Sequence, residues 1–310
     1  MASADYINQE IKGLKKSFDN GSQLMIQQFM NIPVFNVQVT DQFTELFTST
    51  EGLSGVRELS EQETPDTLKL QDGRPVTLVA NRFGGAIEVT TTDMVKMKDG
   101  SIKVETYMTR QRDRLLKANN QKMAVDLHRF FNEAFDSGSN FLAPDGVELC
   151  GAHTWSSGAA WDNSDTQILD TGAVDTAEEY AGAFLDSEGD QMPLNFDTIV
   201  VKKGSAAERQ AIKLFAENIV PEQVANINIY EGSYKIVATP YITSANTTNW
   251  FMFDSNIDDA SPLYLGINKV PSLSDGIVQN NGNVRTNSEM FYKQGINNMP
   301  FAIYGSNGTT

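Results

Sequence analysis

The 310-residue sequence has very little of the chemistry on which metal sites and covalent catalysts depend, because it contains one cysteine and two histidines. The single cysteine, Cys150, cannot form an internal disulfide, so stability must come from packing and from partner subunits, as suits a reducing cytoplasm. Paired Cys-x-x-Cys spacing is absent, and Asp254, Asp258 and Asp259 miss the spacing of a calcium loop. The sequence therefore predicts no metal site.

Long apolar runs are also missing. No stretch of about eighteen apolar residues occurs, and the first residues, MASADY, lack the basic and apolar regions of a secretory signal. Gly84-Gly85 is followed by a predicted strand, not by the Gly-Lys-Ser/Thr and helix of a phosphate-binding loop. We expect no membrane association and no cofactor, and a protein that works where it is made or is released by lysis.

Positive charge is scarce as well: 24 Lys and Arg oppose 40 Asp and Glu, for a net charge of -16. A protein that wraps nucleic acid must neutralise phosphates with clustered basic residues, so this class is excluded. An acidic wall could still enclose DNA without adhering to it. With 40% hydrophobic residues the chain has the composition of a folded globular protein, and at this length it buries roughly three quarters of its unfolded surface.

The first half of the chain predicts two segments without obvious partners. Residues 1–50 place apolar side chains such as Phe29 and Phe35 between polar stretches, which favours an arm covered by something else. An N-terminal helix that docks on its own domain is the alternative. In residues 51–94, Asp72-Gly73 predicts a hairpin turn between 67–71 and 76–79, and extended structure continues to Thr91. This hairpin is too poor in large apolar residues to form a core by itself.

Helical periodicity is clearest over about 101–136, which predicts one long helix of about 50 Å. Arg110 and Arg114 lie on its other faces, either in solvent or against a neighbour's carboxylates. Asp175 with Glu178 and Ser205 with Glu208 indicate two helix starts. Short β-rich runs follow, and the predicted fold class is α+β. They lie at 198–201, 234–240, 250–253, 263–265 and 300–305.

The order of these elements, an arm, a hairpin, one long helix and a compact α/β region, resembles the major capsid proteins of tailed bacteriophages, the Hong Kong 97-type fold shared with encapsulins. The Mu-like major head subunits are the most similar group. Five segments resemble the family in order over some 200 residues. They are NRFGGAIEVT (81–90), DGVELCGAHTW (145–155), PLNFDTIVV (193–201), NINIYEG (226–232) with YKIVATPY (234–241), and NWFMFD (249–254).

The resemblance implies an extended loop and an N-terminal arm that reach adjacent subunits of hexamers and pentamers in an icosahedral shell around double-stranded DNA. The implied regions are an N-terminal arm (1–50), an extended loop (51–94), a peripheral domain (95–165 and 285–310) with a spine helix, and an axial domain (166–284). The residues expected at subunit contacts are Leu68, Leu70, Arg74, Val76, Leu78, Arg82, Phe83, Phe29, Phe35, Arg110 and Arg114.

Other expected partners also follow from the resemblance. The chain carries no charged coiled-coil prefix that could act as an internal scaffold, so we expect a separate scaffolding protein, together with a portal protein and a decoration protein. The expected location is the virion capsid, assembled in the cytoplasm of a host bacterium. An encapsulin-like compartment shell is the alternative with the same fold. The alternative from another class is a hydrolase in which Cys150 is the nucleophile and His153 the base.

Overall fold

The computed structural model describes residues 4–53, 70–215, 230–256 and 261–309. Within these ranges there are six α-helices, one short 3-10 helix at Ser244–Asn246, and fourteen strands. The helices are α1 (Ala4–Met30), α2 (Thr91–Lys98), α3 (Val104–Leu127), α4 (Arg129–Asn132), α5 (Thr171–Ala183) and α6 (Ala206–Phe215).

The strands alternate with these helices, which confirms the α+β class. They are β1 (Asn36–Val39), β2 (Thr44–Leu53), β3 (Leu70–Val79), β4 (Asn81–Val89), β5 (Ala152–Thr154), β6 (Ala160–Asp162), β7 (Ser164–Asp165), β8 (Thr198–Lys202), β9 (Lys235–Thr239), β10 (Trp250–Phe253), β11 (Leu263–Leu273), β12 (Ile277–Val278), β13 (Val284–Ile296) and β14 (Ile303–Ser306).

Two five-stranded sheets form the framework. In the first sheet the long strand β13 pairs antiparallel with β11 and β12 along one edge and with β4 along the other, and β1 is parallel to β11. The second sheet has the order β7-β14-β10-β8-β9. Two-stranded pairs, β2-β3 and β5-β6, complete the structure of the described residues.

The second sheet is covered on both faces, because side chains alternate along its strands. Val200 and Phe251 face a core shared with α3, α4 and the first sheet. Ile199, Trp250 and Met252 face a separate core formed with α5 and α6. The central strands β8 and β10 are buried almost throughout, which explains why they read as continuous apolar runs in the sequence.

The N-terminal segment is a helix that packs on its own chain, so the expectation of an uncovered arm is wrong for residues 11–35. Ile11 and Phe18 of α1 are buried against α2, α3 and the first sheet. Phe29 and Phe35 belong to the chain's own main core, where the Phe35 and Phe131 rings are 5.6 Å apart. The alternative of a docked helix is the one observed, because the buried positions fall on one face of α1.

The hairpin differs from its prediction. Asp72-Gly73 does not form a turn; it lies within β3, which pairs antiparallel with β2 across a register shift between Thr48 and Thr50. A Cβ atom at Gly73 would overlap the Ser49 hydroxyl and lie 2.5 Å from a Glu51 carboxylate oxygen. The glycine therefore permits a close approach inside the ladder. β4 does not pair with β3, because its partner is β13.

The predicted spine helix is divided. Within the predicted range of 101–136, α3 runs for 24 residues, about 36 Å. His128 separates α3 from α4, which ends at Asn132. The start predicted at Asp175 is also wrong, since Asp170 caps α5 by accepting from the Ala173 N–H at 2.8 Å. The start predicted at Ser205 is confirmed, because its hydroxyl accepts from the Glu208 N–H.

The division into a peripheral and an axial region also differs from the expected boundaries. Residues 263–278 were assigned to the axial domain, but β11 and β12 belong to the first sheet with β13. Residues 303–306 were assigned to the peripheral domain, but β14 pairs with β10 in the second sheet. The reason is that strand pairing, which local sequence patterns do not show, joins 263–278 to 284–296 and 303–306 to 250–253.

Candidate assembly surface

The β2-β3 hairpin has one face toward its own chain and one face toward solvent, because its side chains alternate. On the inner face Phe47 packs on Tyr264 with ring centroids 4.8 Å apart, and Leu78 fills the space beside Gly295. On the outer face Leu46 is 68% exposed and Val79 is 52% exposed. Their register, with Thr44 opposite Val79, places both on the same face.

A buried ion pair holds the base of the hairpin. Lys293 of β13 is almost fully buried, and its Nζ lies 3.1 Å from the Glu45 carboxylate and donates to the Gln42 carbonyl. The Tyr264 hydroxyl donates to the other Glu45 oxygen at 2.7 Å. Burial raises the pKa of Glu45, but hydrogen bonds from Thr40, Tyr264 and Lys293 outweigh it and lower the pKa below its usual value.

A second contact holds the hairpin at the other end of its described part. The buried Glu51 carboxylate accepts from the backbone N–H of Ser156 at 2.7 Å and from the Ser156 hydroxyl. On the paired strand, the Arg74 guanidinium donates to the Thr154 carbonyl at 3.0 Å. The hairpin is therefore fixed to its own chain at both ends of its described part, while its outer face has no cover among the described residues.

Basic side chains mark two further surfaces. Arg110 and Arg114 are exposed on α3, and the nearby Arg112 pairs with Asp113 and donates to Ser17 of α1 at 2.7 Å. A polar cleft of about 370 Å³ lies over β4 and β13 and is bordered by Arg82 and Arg285. Arg82 is exposed and forms an ion pair with Glu289.

The structure divides the residues expected at subunit contacts. Arg82, Arg110 and Arg114 are exposed. Arg74, Val76 and Leu78 are half-buried on the inner face of the hairpin, and Phe83 stacks on Tyr292 at 4.2 Å with Lys122 over its ring. Phe29 and Phe35 are buried in the main core. Leu68 and the side chain of Leu70 lie outside the described residues.

The sequence reading missed Leu46 and Val79, the exposed apolar residues of the outer face. The signal that could have identified them was the alternation across Thr44–Leu53, a strand that was assigned to the arm. Once β2 is recognised, its pairing with residues 70–79 places Leu46 and Val79 on one face of the hairpin. The half-buried Phe47 and Leu78 then lie on the other face.

Cys150 and His153 do not form a nucleophile–base pair. The fully buried His153 ring lies 2.9 Å from Asp145 through Nδ1 and 3.4 Å from the Leu149 carbonyl through Nε2, and it stacks on Trp161. Burial raises the pKa of the Cys150 thiol well above its usual value, with Asp162 and Glu148 adding to the effect. A thiol in this environment resists forming the thiolate that attack requires.

The described parts of the chain show neither a metal-binding cluster nor a membrane-spanning helix. They contain no group of three or more His, Cys, Asp or Glu side chains arranged to hold a metal ion. Asp254 accepts instead from the backbone N–H groups of Asn195 and Asn256. Asp258 and Asp259 lie outside the described residues. None of the described helices combines the length and apolar character needed to cross a bilayer.

No protein-family model matches the sequence, and no curated protein matches it. Solved structures do match. The head structure of Helicobacter pylori bacteriophage KHP40 aligns with 88% of this chain and 86% of its own, at 10% identity and a TM-score of 0.53. A virus-like particle from Pyrococcus furiosus aligns with 94% of this chain and 98% of its own, at 9% identity and a TM-score of 0.51.

These alignments extend over nearly the whole chain and define the class of fold. The chain has the fold of a phage head structure and of a virus-like particle, which confirms the Hong Kong 97-type fold predicted from the order of elements.

Proposed function

We propose that the chain is the major capsid protein of a tailed bacteriophage, which forms hexamers and pentamers of an icosahedral shell around double-stranded DNA. The observation that carries the proposal is the hairpin. It is fixed at both ends of its described part, yet it presents Leu46 and Val79 to solvent within a fold found in shell-forming proteins. An exposed apolar face of this kind is a liability in a monomer and is buried in a closed assembly.

In the proposed assembly the hairpin is a rigid extension. Its inner face is occupied by Phe47 and Leu78 packing on the chain's own first sheet, so only the outer face is available to a neighbour. Leu46 and Val79 would lie at the centre of that contact, where desolvated apolar side chains contribute most of the binding energy. Thr44, Thr48 and Thr77 would surround them.

Charge complementarity supports assembly through a further surface. Arg110 and Arg114 are exposed basic residues on α3 of a chain of net charge -16, so both are attracted to the acidic surface of a second copy. The acidic surface also suits the inside of a container, because DNA that is not bound by the wall can move during filling. The shell would be part of the virion, assembled in the cytoplasm of the host with a separate scaffolding protein, a portal protein and a decoration protein.

Electron microscopy of the purified protein with two charged substitutions tests the proposal. Wild type is expected to form shells, tubes or rings, whereas Leu46→Asp together with Val79→Asp should give folded, dispersed subunits. Val95→Asp is a matched control, because Val95 is 62% exposed on α2, away from the hairpin. A stable monomer for wild type, or intact shells for the double variant, would contradict the proposal.

An encapsulin-like shell is the second candidate, and the observation that favours it is the alignment with 98% of the Pyrococcus furiosus particle chain. A phage head and an encapsulin-like shell would use the same subunit interfaces. They differ in what the particle encloses. Particles isolated from the natural source and treated with nuclease should retain double-stranded DNA if the chain forms a phage head. Retention of a single protein cargo without DNA would favour the compartment.

A further inference from the structure

An open pocket of about 280 Å³ lies between the β5-β6 hairpin and the C-terminal end of α5, outside the surfaces discussed above. Its walls are aromatic. The Trp161 and Phe184 rings are 5.6 Å apart and meet edge to face, and Trp155 is 6.3 Å from Phe184. The small residues Ala160 and Ala183 line the remaining wall and leave room for a side chain.

Three buried polar atoms at this pocket have no hydrogen-bond partner among the described residues. They are the indole N–H groups of Trp155 and Trp161, which line it, and the hydroxyl of Ser187 in the adjoining turn. Trp155 is 2% exposed and Ser187 5%. In contrast, the Trp250 indole donates to the Gln167 carbonyl at 3.0 Å. Buried donors are nearly always paired, so these three groups leave the packing beside the pocket incompletely satisfied by the chain's own described residues.

The mouth of the pocket is acidic. Asp162 and Asp186 line it, and the exposed Asp190 closes the same turn, in which the Asp186 N–H donates to the Asp190 carbonyl. The lining includes no Lys or Arg. A ligand that carries positive charge beside an apolar group is therefore favoured over an anion, and over the acidic surface of a second copy.

We infer that this pocket is a docking site for a basic peptide segment of another protein. One apolar side chain of the peptide enters between Trp161 and Phe184. Flanking Lys or Arg side chains of the peptide lie beside Asp162 and Asp186. Such a site goes beyond shell formation, because it gives each subunit a place to hold a second protein.

Fluorescence anisotropy tests the site with a short labelled peptide that carries leucine flanked by lysines, titrated with the purified full-length protein. Ala183→Phe fills the pocket and should weaken binding by about tenfold or more. Ala118→Phe is the matched control, because Ala118 is an exposed helical alanine on α3, and it should leave the affinity unchanged. Trp161→Phe keeps an aromatic ring, reduces the apolar wall of the pocket and should weaken binding by about threefold.

Three results would overturn the inference. The first is the absence of saturable binding of the lysine peptide. The second is equal affinity for a peptide in which glutamates replace the lysines. The third is unchanged affinity in both Ala183→Phe and Trp161→Phe. Circular dichroism identifies a variant that fails to fold, and the other variant then decides the outcome. Shell formation by either variant is scored separately, so failure of this site is distinguishable from failure of the proposed function.

Discussion

Two buried charged residues lie where the hairpin meets the rest of the chain. Glu51 and Lys293 are among the residue types that are almost never fully buried unless they are paired. Each has specific partners: Ser156 for Glu51, and Glu45 for Lys293. These residues give the hairpin a defined position, because the paired groups can be satisfied in only one arrangement.

His128 should make stability depend on pH. Burial lowers its pKa below the usual 6.5, although its Nδ1 lies 2.7 Å from the Ala124 carbonyl. The unfolded chain therefore binds the proton first, and the stability that is fully present above about pH 6.5 is lost as the pH falls toward the folded pKa. His128→Phe should lose less stability than wild type between about pH 7.5 and pH 5 in urea unfolding. Equal losses would contradict this assignment.

Gly73 should not tolerate a side chain. An added Cβ would overlap the Ser49 hydroxyl and approach the Glu51 carboxylate, whose position is fixed by Ser156. Gly73→Ala should therefore lower the free energy of unfolding by about 1–3 kcal/mol. Gly182→Ala on α5 is the control, because no neighbouring atom lies within 4 Å of its added Cβ, and it should be neutral or slightly stabilising. Similar urea midpoints for both variants would show that the hairpin relaxes freely.

At the scale of elements, the ion pair between Glu45 and Lys293 joins β2 to β13. Glu45→Gln leaves the buried ammonium without its counter-charge and should destabilise the protein by about 3–5 kcal/mol. Lys293→Met should cost less, because Glu45 keeps its hydrogen bonds to Thr40 and Tyr264. The double variant should be less destabilised than the sum of the two single changes.

Urea unfolding of the two single variants and the double variant measures this coupling free energy, for which we expect about 1–3 kcal/mol. Glu88→Gln is a suitable control for the loss of one carboxylate, because Glu88 is exposed on β4. Additive effects would mean that the two side chains are close without stabilising each other. In that case the packing of Phe47 and Leu78 would be the main attachment of the hairpin.

For the whole molecule, α1 is part of the fold. Ile11, Phe18 and Phe29 are buried, so deletion of residues 1–30 would expose the faces of α3 and the first sheet that they cover. We expect the shortened chain to unfold without cooperativity or to aggregate, in calorimetry and in size-exclusion chromatography. Deletion of residues 1–9 keeps these three side chains and should leave a cooperative transition. A stable subunit without residues 1–30 that fails only in assembly would restore the interpretation as an intersubunit arm.

Local sequence patterns alone predicted the buried central strands and one helix start, because these depend little on which distant segment packs against them. The buried strands β8 and β10 and the start of α6 at Ser205 follow from apolar runs and from a capping side chain. The order of elements was sufficient to predict the class of fold. β13 was missed because its buried face includes Thr286 and Ser288, whose small polar side chains hide the alternation.

Tertiary structure alone decided which surfaces cover one another. Arg82 pairs with Glu289 across 207 residues of chain, and the cover of α1 comes from α3 and from strands at the far end of the sequence. A local pattern records that a face is apolar, but it carries no information about the distant segment that will lie against it. For this reason the division between inward Phe29 and outward Leu46 became visible only in the folded chain.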